Sequence, residues 1–157
     1  MTESTVRRNI TVQAPPERAF EAFTAGIGRW WPLDDYKIGA AAATDAVIEP
    51  REGGRWFERG EDGSECDWGR VIAWEPPRRV VLAWQIGADW RYDPSLETEV
   101  EISFRASPDG GGTQVELEHR GLEAYGDRAA EMSGVFGSPG GWSGLLGHYA
   151  AAAGGEE

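Results

Sequence analysis

Cysteine and histidine are scarce in this 157-residue chain, and their scarcity excludes several kinds of chemistry. Cys66 is the single cysteine, so the chain can form neither an internal disulfide nor a thiolate metal cluster. The two histidines, His119 and His148, are far apart in the sequence and fit no metal-binding spacing, so we predict no metal site and no cofactor. Because no base is evident beside Cys66, we interpret it as a structural side chain rather than a nucleophile.

Positive charge and long apolar runs are scarce as well. The chain has 15 basic and 27 acidic residues, a net charge of −12, and Lys37 is its only lysine. Nucleic acids and anionic membranes bind clustered cations that displace counterions, so we predict neither partner. No apolar run approaches the roughly 20 residues that cross a bilayer, and Met1 to Thr5 is polar, unlike a signal sequence. These absences predict an acidic, cytoplasmic globular protein.

The sequence does contain a long region of two-residue periodicity, with turn residues between its segments. The length and the lack of any linker predict a single domain over residues 1–157. In the first strand, Arg8 is the one polar residue on the apolar face. The predicted strands are Val6–Val12, about Thr44–Glu49, Arg55–Arg59, Asp67–Trp74, Arg79–Ile86, Leu96–Ala106 and Thr113–Arg120.

Helical periodicity occurs on both sides of the later strands. Pro16 and Glu17 open a first helix, which a short second helical turn follows. After the last strand, a weakly amphipathic segment covers 127–136, and Ser138 with Pro139 is predicted to begin a long helix as N-cap and first residue. The order β-α-α-β6-α, with one antiparallel sheet and one long helix to cover it, predicts a two-layer α+β domain. The apolar stripe of the long helix consists of Trp142, Leu145, Leu146, Tyr149 and Ala153.

The last two strands are predicted to pair as an antiparallel hairpin. Residues opposite each other in such a pair lie on the same face, so Phe104 is predicted to lie across from Val115, and Val100 across from His119. This places the apolar side chains of both strands together on the inner face.

Carboxylates are concentrated on the other face of the same hairpin. Two interpretations are open: a pair of catalytic carboxylates, or a solvated charge ladder in which an acid meets Arg120 across the strands. We favour the ladder, because the alternation places all of these acids on the outer face. They are Glu97, Glu99, Glu101, Glu116 and Glu118.

His119 is the titratable residue that the alternation places on the apolar face. Burial lowers the pKa of an imidazole, and a neighbouring carboxylate raises it. One interpretation, which we favour, is a core histidine with hydrogen bonds to the protein. The other is a polar anchor that faces a ligand pocket between sheet and helix.

The chain has eight tryptophans, which is well above ordinary usage. Tryptophans that stack on nucleic acid need a cationic groove beside them, and the net charge opposes this. Most are therefore predicted to be core or rim residues, and a few to line a small-molecule site. Trp84 is the strongest candidate to point inward. The orientation of Trp56 and Trp68 stays open, because both faces of their strands look half apolar.

Several motifs resemble one known family. They are Ala14-Pro15-Pro16-Glu17-Arg18-Ala19-Phe20, Trp30-Trp31-Pro32, Glu49 to Trp56, Gly69-Arg70-Val71, Pro76-Pro77-Arg78-Arg79, Trp84-Gln85, Leu117 to Gly121, and Gly141-Trp142 with Leu145. These residues are similar to the prokaryotic relatives of the activator of Hsp90 ATPase, within the START-like or Bet v 1-like (SRPBCC) helix-grip superfamily. The resemblance runs from Val6 to about Ala152, so we expect an ordered core over about 6–152.

The resemblance implies a curved antiparallel sheet that grips the long C-terminal helix, with a cavity between them. No catalytic motif is shared by this family, so we predict no catalytic residue. The ligand-binding residues carried over to the cavity wall are Phe23, Trp31, Trp56, Trp84, Phe104, His119, Trp142, Leu146 and Tyr149.

Three functions are compatible with such a domain, because this superfamily hosts many activities on one scaffold. We favour a binding protein for a small apolar or amphipathic molecule over an enzyme. The first alternative is a cyclase or dehydratase in which His119 abstracts a proton next to a carbonyl. The second is a protein-interaction module that is linked to an Hsp90-type chaperone or docks through exposed tryptophans, and a homodimer is left open as a further partner. The chain has no room for the separate Hsp90-docking domain of the eukaryotic activator, which argues against the chaperone.

Overall fold

The computed structural model describes residues 5–32, 42–108, 110, 112–139 and 141–154. In chain order the elements are β1 (Val6–Val12), α1 (Pro16–Thr24), α2 (Ile27–Trp30), β2 (Ala43–Ile48), β3 (Arg55–Gly60), β4 (Glu65–Glu75), β5 (Arg79–Trp84), β6 (Thr98–Ala106), β7 (Thr113–Arg120), a 3₁₀ segment (Leu122–Arg128), α3 (Ala129–Phe136) and α4 (Trp142–Gly154).

The seven strands form one antiparallel sheet in the order β1-β7-β6-β5-β4-β3-β2. Among the described strands, only the pairing of β1 with β7 joins two that are distant in the sequence. The sheet curls around α4, which also packs against α1, α2 and β1. The predicted α+β helix-grip fold is therefore confirmed.

The predicted pairing of the last two strands is also confirmed. Phe104 lies opposite Val115 and Val100 lies opposite His119, and all four side chains are buried. Since the register of a strand decides which face each side chain occupies, this pairing fixes His119 on the inner face.

The outer face of this hairpin carries an ion-pair network around Arg120. Its guanidinium donates hydrogen bonds to Glu99 (3.1 Å), Glu101 (2.7 Å) and Glu118 (2.9 Å). Burial alone would raise the pKa of Glu101, but hydrogen bonds from Arg79 and Arg120 lower it overall. These carboxylates therefore form a charge ladder with arginines, as the alternation predicts.

The connection between β7 and α4 differs from the prediction in two places. The helical region begins with the 3₁₀ segment at Leu122, five residues before the predicted start at Asp127. α4 begins at Trp142 rather than at Pro139. The Ser138 hydroxyl donates a hydrogen bond to the Val135 carbonyl (2.7 Å), so Ser138 belongs to the end of α3 and does not cap α4.

Arg8, the polar residue on the inner side of β1, has a structural role at this connection. Its guanidinium donates hydrogen bonds to the Gly137 carbonyl (2.7 Å) and to the Ser143 hydroxyl (3.1 Å). It therefore ties the edge strand to the segment before α4 and to the first turn of that helix.

The strands flanking the β5–β6 loop are shorter than predicted. β5 ends at Trp84 rather than at Ile86, and β6 begins at Thr98 rather than at Leu96. Ile86 instead forms an isolated bridge with Tyr92, because the loop folds back on itself.

Trp56 and Trp68, whose orientation the sequence leaves open, both point into the core and are 1% exposed. Trp56 lies opposite Gly69 and Phe57 lies opposite Asp67, so Trp68 is an extra residue in β4. Such a β-bulge bends the strand and redirects a side chain. A Cβ at Gly69 would collide with the Ala83 carbonyl oxygen, which explains why glycine follows the bulge.

Phe57 is the reason that both faces of β3 look half apolar in the sequence. It lies on the opposite face from Trp56, and the guanidinium of Arg55 covers its ring at 4.1 Å from the centroid. Arg59 lies over the same ring at 5.5 Å. An apolar residue can thus be buried on the outer face when cations cover it, and this obscures the alternation.

Candidate functional site

Five tryptophans form a closed circuit between the sheet and the helices. Aromatic pairs with ring centroids roughly 4.5–7 Å apart attract one another beyond the effect of surface burial, so the circuit joins the residue that follows α2 to β3, β4, β5 and α4. None of the five is more than 6% exposed. The ring centroids are separated by 5.1 Å for Trp31–Trp68, 5.6 Å for Trp68–Trp56, 5.7 Å for Trp56–Trp84, 5.7 Å for Trp84–Trp142 and 6.2 Å for Trp142–Trp31.

A second aromatic group lies beside the circuit, against α1. The Phe23 ring is 6.1 Å from that of Phe104 and 5.1 Å from that of Tyr149. Trp30 contacts both Phe23 and Tyr149, and Leu146 is buried in the same core cluster. The structure therefore brings the predicted wall residues together in one interior.

His119 links the sheet to α4 through a chain of hydrogen bonds. Trp142 Nε1 donates to His119 Nδ1 at 3.1 Å, so Nδ1 is the unprotonated ring nitrogen. His119 Nε2 then carries the proton and donates to Thr98 Oγ1 at 2.8 Å. The Thr98 hydroxyl donates in turn to the Trp84 carbonyl at 3.0 Å.

The electrostatics of His119 follow from its burial. The side chain is fully buried, and burial lowers its pKa to about 3, so the imidazole is neutral at physiological pH. Both ring nitrogens are engaged by protein groups. To accept a proton from a substrate, His119 would first have to give up the hydrogen bond from Trp142.

Two buried tyrosines use their hydroxyls for backbone contacts. Tyr149 in α4 donates to the Ala19 carbonyl of α1 at 2.7 Å, and Tyr125 donates to the Ile86 carbonyl at 2.6 Å. Burial raises the pKa of both hydroxyls, so both stay protonated. The neighbouring Trp84 indole opposes this rise in the pKa of Tyr125.

Two members of the tryptophan circuit have unsatisfied polar atoms. The indole nitrogens of Trp56 and Trp84 are buried and have no hydrogen-bond partner among the described residues. A buried donor without an acceptor costs roughly 1–3 kcal/mol, and almost all buried polar groups in proteins avoid this cost. The Trp56 N–H is therefore an unused donor in the interior, whereas the Trp84 N–H makes no close hydrogen bond but still interacts with the Tyr125 hydroxyl.

Glu58 is a polar residue of this interior that the sequence reasoning missed. It is 2% exposed and accepts a hydrogen bond from Trp68 Nε1 at 2.9 Å. Glu58 follows Trp56 by two positions in β3, and alternate residues of a strand share a face. That spacing could have identified it once the orientation of Trp56 was known.

Three clefts lined by described residues lie at the surface, away from the tryptophan circuit. One of about 610 Å³ lies between α1, α2 and the end of α4, and one of about 550 Å³ lies between α1 and the β4–β5 hairpin. The third, of about 320 Å³, lies on the outer face of the sheet. None of the nine predicted wall residues lines any of these clefts.

Neither a metal centre nor a membrane span is found in the part of the chain that the structure describes. No group of three His, Cys, Asp or Glu side chains there is close enough to hold a metal ion. None of the described helices combines the length and apolar composition needed to cross a bilayer. The Cys66 thiol is partly buried, and burial raises its pKa, which does not favour a reactive thiolate.

Comparison with solved structures gives several full-length similarities. The anthrahydroquino-Gama-pyrone synthase Txn09, complexed with SUM, is 32% identical, with a TM-score of 0.65, over 96% of this chain and 99% of that one. CalC, a self-sacrificing resistance protein from Micromonospora echinospora, is 28% identical, with a TM-score of 0.67, over 98% and 97%. The Aha1 dimer from Colwellia psychrerythraea is 18% identical, with a TM-score of 0.62, over 98% and 97%, and shows the shared fold alone.

Comparison with curated proteins gives no significant match. Comparison with protein families gives a match over residues 13–147, which include most of the described helices and strands and eight of the nine predicted wall residues, all but Tyr149. The chain therefore belongs to the family of activator of Hsp90 ATPase homolog 1-like proteins.

Proposed function

We propose that this protein binds a small planar aromatic molecule that carries an oxygen acceptor, in the interior between the curved sheet and α4. The observation that carries the proposal is the buried, unpartnered indole N–H group of Trp56, with the N–H group of Trp84, which makes no close hydrogen bond, on the neighbouring member of the circuit. Small-molecule sites in proteins are mostly apolar, with a few convergent polar groups that fix orientation. The tryptophan circuit supplies the apolar walls, and the two N–H groups supply the donors.

One relative, Txn09, supports an aromatic, oxygen-bearing ligand. Txn09, at 32% identity, is a synthase of an anthrahydroquino-γ-pyrone, which is a planar aromatic oxygen compound. CalC, at 28% identity, is a resistance protein. Their likeness extends over nearly the whole of this chain, so the interior of the fold is part of what they share with it.

The position of the site is tested by two matched tryptophan variants. Trp56→Phe removes the unpartnered N–H but keeps an aromatic ring. Trp74→Phe makes the same change at a half-buried residue that lines the surface cleft beside the β4–β5 hairpin. The dissociation constant of 2-hydroxyanthraquinone is measured for both variants and the wild type by quenching of tryptophan fluorescence.

We expect Trp56→Phe to weaken binding about fivefold, because one hydrogen bond contributes about 1 kcal/mol. Trp74→Phe is expected to bind like the wild type. Loss of binding in Trp74→Phe with full binding in Trp56→Phe would move the site to the surface cleft. No binding to the wild type would contradict the proposal.

Catalysis in the same interior is a second candidate function, favoured by the identity to a synthase. His119 is a poor candidate for its base, because both ring nitrogens are hydrogen-bonded to protein groups. Mass spectrometry of hydroxylated anthrahydroquinones incubated with the protein separates the two functions. A binding protein returns them unchanged, whereas an enzyme converts them with turnover.

Chaperone docking and self-association are secondary proposals that come from the names of relatives. The family is described by its likeness to an activator of Hsp90 ATPase, and one structural neighbour is an Aha1 dimer. Stimulation of a bacterial Hsp90 ATPase tests the first, and sedimentation velocity tests the second. We also propose a cytoplasmic location, which the net charge and the single cysteine favour.

A further inference from the structure

The surface cleft between α1, α2 and the end of α4 combines charged side chains of both signs with apolar ones. Its volume of about 610 Å³ lies within the usual range of small-molecule sites. Ala22, Trp30 and Ala153 are among the apolar residues that line it. The charged residues that line it are Glu17, Arg18 and Glu21 of α1 and Arg29 of α2, all of them exposed.

These four charged side chains have no partner within the protein. Among the arginines, all of which lie in the described part of the chain, only Arg18, Arg29 and the loop residue Arg91 make no side-chain hydrogen bond or ion pair. The side chains of Glu17 and Glu21 make none either, although Glu21 and Arg18 are neighbours on the helix surface. The charges of this cleft are therefore available to a ligand, in contrast to those of the charge ladder on the outer face of the sheet.

The two signs of charge occupy opposite sides of the cleft. Successive residues of an α-helix are about 100° apart around its axis, so Glu17 and Glu21 lie in one row of α1, and Arg18 lies with Ala22 in another. The row of acids also lines the neighbouring cleft towards the β4–β5 hairpin, whereas Arg18 and Ala22 line only the first cleft. The row of Arg18 is the one nearer α2, because the Ala22 carbonyl accepts a hydrogen bond from Trp30 Nε1 at 3.0 Å. The second arginine of the cleft is on α2 itself.

The charge of the whole chain favours a ligand that is neutral overall. A net charge of −12 repels a free anion from the surface, so the two arginines alone make a poor anion site. A free cation would in turn be repelled by Arg18 and Arg29. A molecule that carries an ammonium group and a carboxylate on one apolar frame avoids both penalties, because each of its ends meets the opposite charge.

We propose that this cleft binds a small zwitterion of this kind, an amino acid whose two charged groups are separated by an apolar frame. The carboxylate accepts hydrogen bonds from Arg18 and Arg29, since guanidinium groups bind carboxylates with two parallel N–H donors. The ammonium group donates to Glu17 and Glu21, and the frame lies on the apolar residues between them. None of the nine predicted wall residues lines this cleft, so binding here is independent of binding among the interior tryptophans.

Three probes of similar size separate the contributions of the two charges. 4-(Aminomethyl)benzoate carries an ammonium group and a carboxylate at opposite ends of one ring. 4-Methylbenzylamine carries only the ammonium group, and 4-methylbenzoate carries only the carboxylate. Dissociation constants are measured by NMR titration of the ¹⁵N-labelled protein. The indole N–H signal of Trp30 reports on the cleft, and that of Trp56 reports on the interior.

The variants are chosen to remove one charge at a time. Arg29→Gln removes a cation from the cleft, and Glu21→Gln removes an acid. Arg91→Gln is the matched control, because it removes an equally unpaired cation that lies outside the cleft. All three side chains are exposed, so these substitutions should leave the fold intact.

We expect the wild type and Arg91→Gln to bind the zwitterion about fivefold more tightly than either probe with a single charge. Arg29→Gln should reduce the advantage over 4-methylbenzylamine to about twofold, and Glu21→Gln should do the same to the advantage over 4-methylbenzoate. Equal binding of the three probes to the wild type, or no binding of the zwitterion, would overturn the zwitterion site. Equal losses in Arg29→Gln and Arg91→Gln, or shifts at Trp56 rather than at Trp30, would overturn it as well.

Discussion

The indole nitrogen of Trp142 lies 3.1 Å from Nδ1 of His119 and donates a hydrogen bond to it. This bond joins the first residue of α4 to the inner face of β7. It fixes the tautomer of the imidazole and thereby sets the direction of the hydrogen bonds through Thr98 to the Trp84 carbonyl. The histidine is a connector between the two layers of the fold.

Replacing Trp142 by phenylalanine should destabilise the protein. The change removes the donor to His119 and part of a side chain that is 2% exposed, so we expect a loss of roughly 2–4 kcal/mol in the free energy of unfolding. Urea denaturation measures it, with Trp74→Phe as the half-buried control. Equal losses for the two variants would show that the hydrogen bond to His119 contributes nothing.

Removing the Thr98 hydroxyl should destabilise the protein nearly as much as replacing Trp142. Thr98→Val keeps the shape of the side chain but leaves His119 Nε2–H without its acceptor, so we expect a loss of about 1–3 kcal/mol. Thr11→Val, on the exposed side of β1, is the control and should change stability by less than about 0.5 kcal/mol. If Thr98→Val unfolds at the same urea concentration as the wild type, the hydrogen-bond chain is not a stabilising feature.

The buried imidazole should make stability depend on pH in a defined window. The pKa of His119 is about 3 in the folded protein and about 6.5 in an unfolded chain. Between these values the unfolded state binds the proton more tightly, so stability falls as the pH falls from 6.5 towards 3. The slope from this one group is at most about 1.4 kcal/mol per pH unit.

The contribution of His119 is isolated by comparing variants, because carboxylates also titrate at low pH. His119→Gln should lose part of the pH dependence between pH 6.5 and 4, whereas His148→Gln, at an exposed position of α4, should keep it. Denaturation curves across this range provide the measurement. The same slope in His119→Gln and the wild type would show that the folded histidine takes up a proton normally.

The charge ladder around Arg120 on the outer face should contribute little to the free energy of unfolding, and its contribution should depend on salt. Arg120→Gln removes hydrogen bonds to three glutamates, yet the group is partly exposed, so we expect a loss of about 1 kcal/mol at most. The loss should shrink in 1 M salt, where the Debye length is about 3 Å. A loss of several kcal/mol that is independent of salt would mean that these charges are buried in solution.

Much of the fold follows from local patterns in the sequence. The alternation from Thr98 to Arg120 specifies both strands and their register, because each side chain on one strand has a matching partner on the other. Irregular places do not follow from alternation. The bulge at Trp68 and the cation-covered Phe57 conceal which face of β3 is buried, and the start of α4 depends on a serine that bonds backwards to α3.

The site could be predicted less completely than the fold. The sequence places His119 inward but does not show that Trp142 and Thr98 occupy both ring nitrogens, because these contacts join three separate elements. It also does not identify Glu58, since a lone acid in a strand with Arg55 and Arg59 resembles a surface residue. Its burial becomes evident only from the packing of β3 against the other tryptophans.

The central claim, that an aromatic ligand binds among the interior tryptophans, is tested most directly by the indole N–H resonances of the ¹⁵N-labelled protein. Each of the eight tryptophans gives one such signal, and single Trp→Phe variants assign them. With saturating 2-hydroxyanthraquinone, we expect the signals of Trp56 and Trp84 to move furthest downfield, and that of the exposed Trp90 to stay in place. Shifts confined to Trp74 or Trp90, with Trp56 and Trp84 unchanged, would contradict the account.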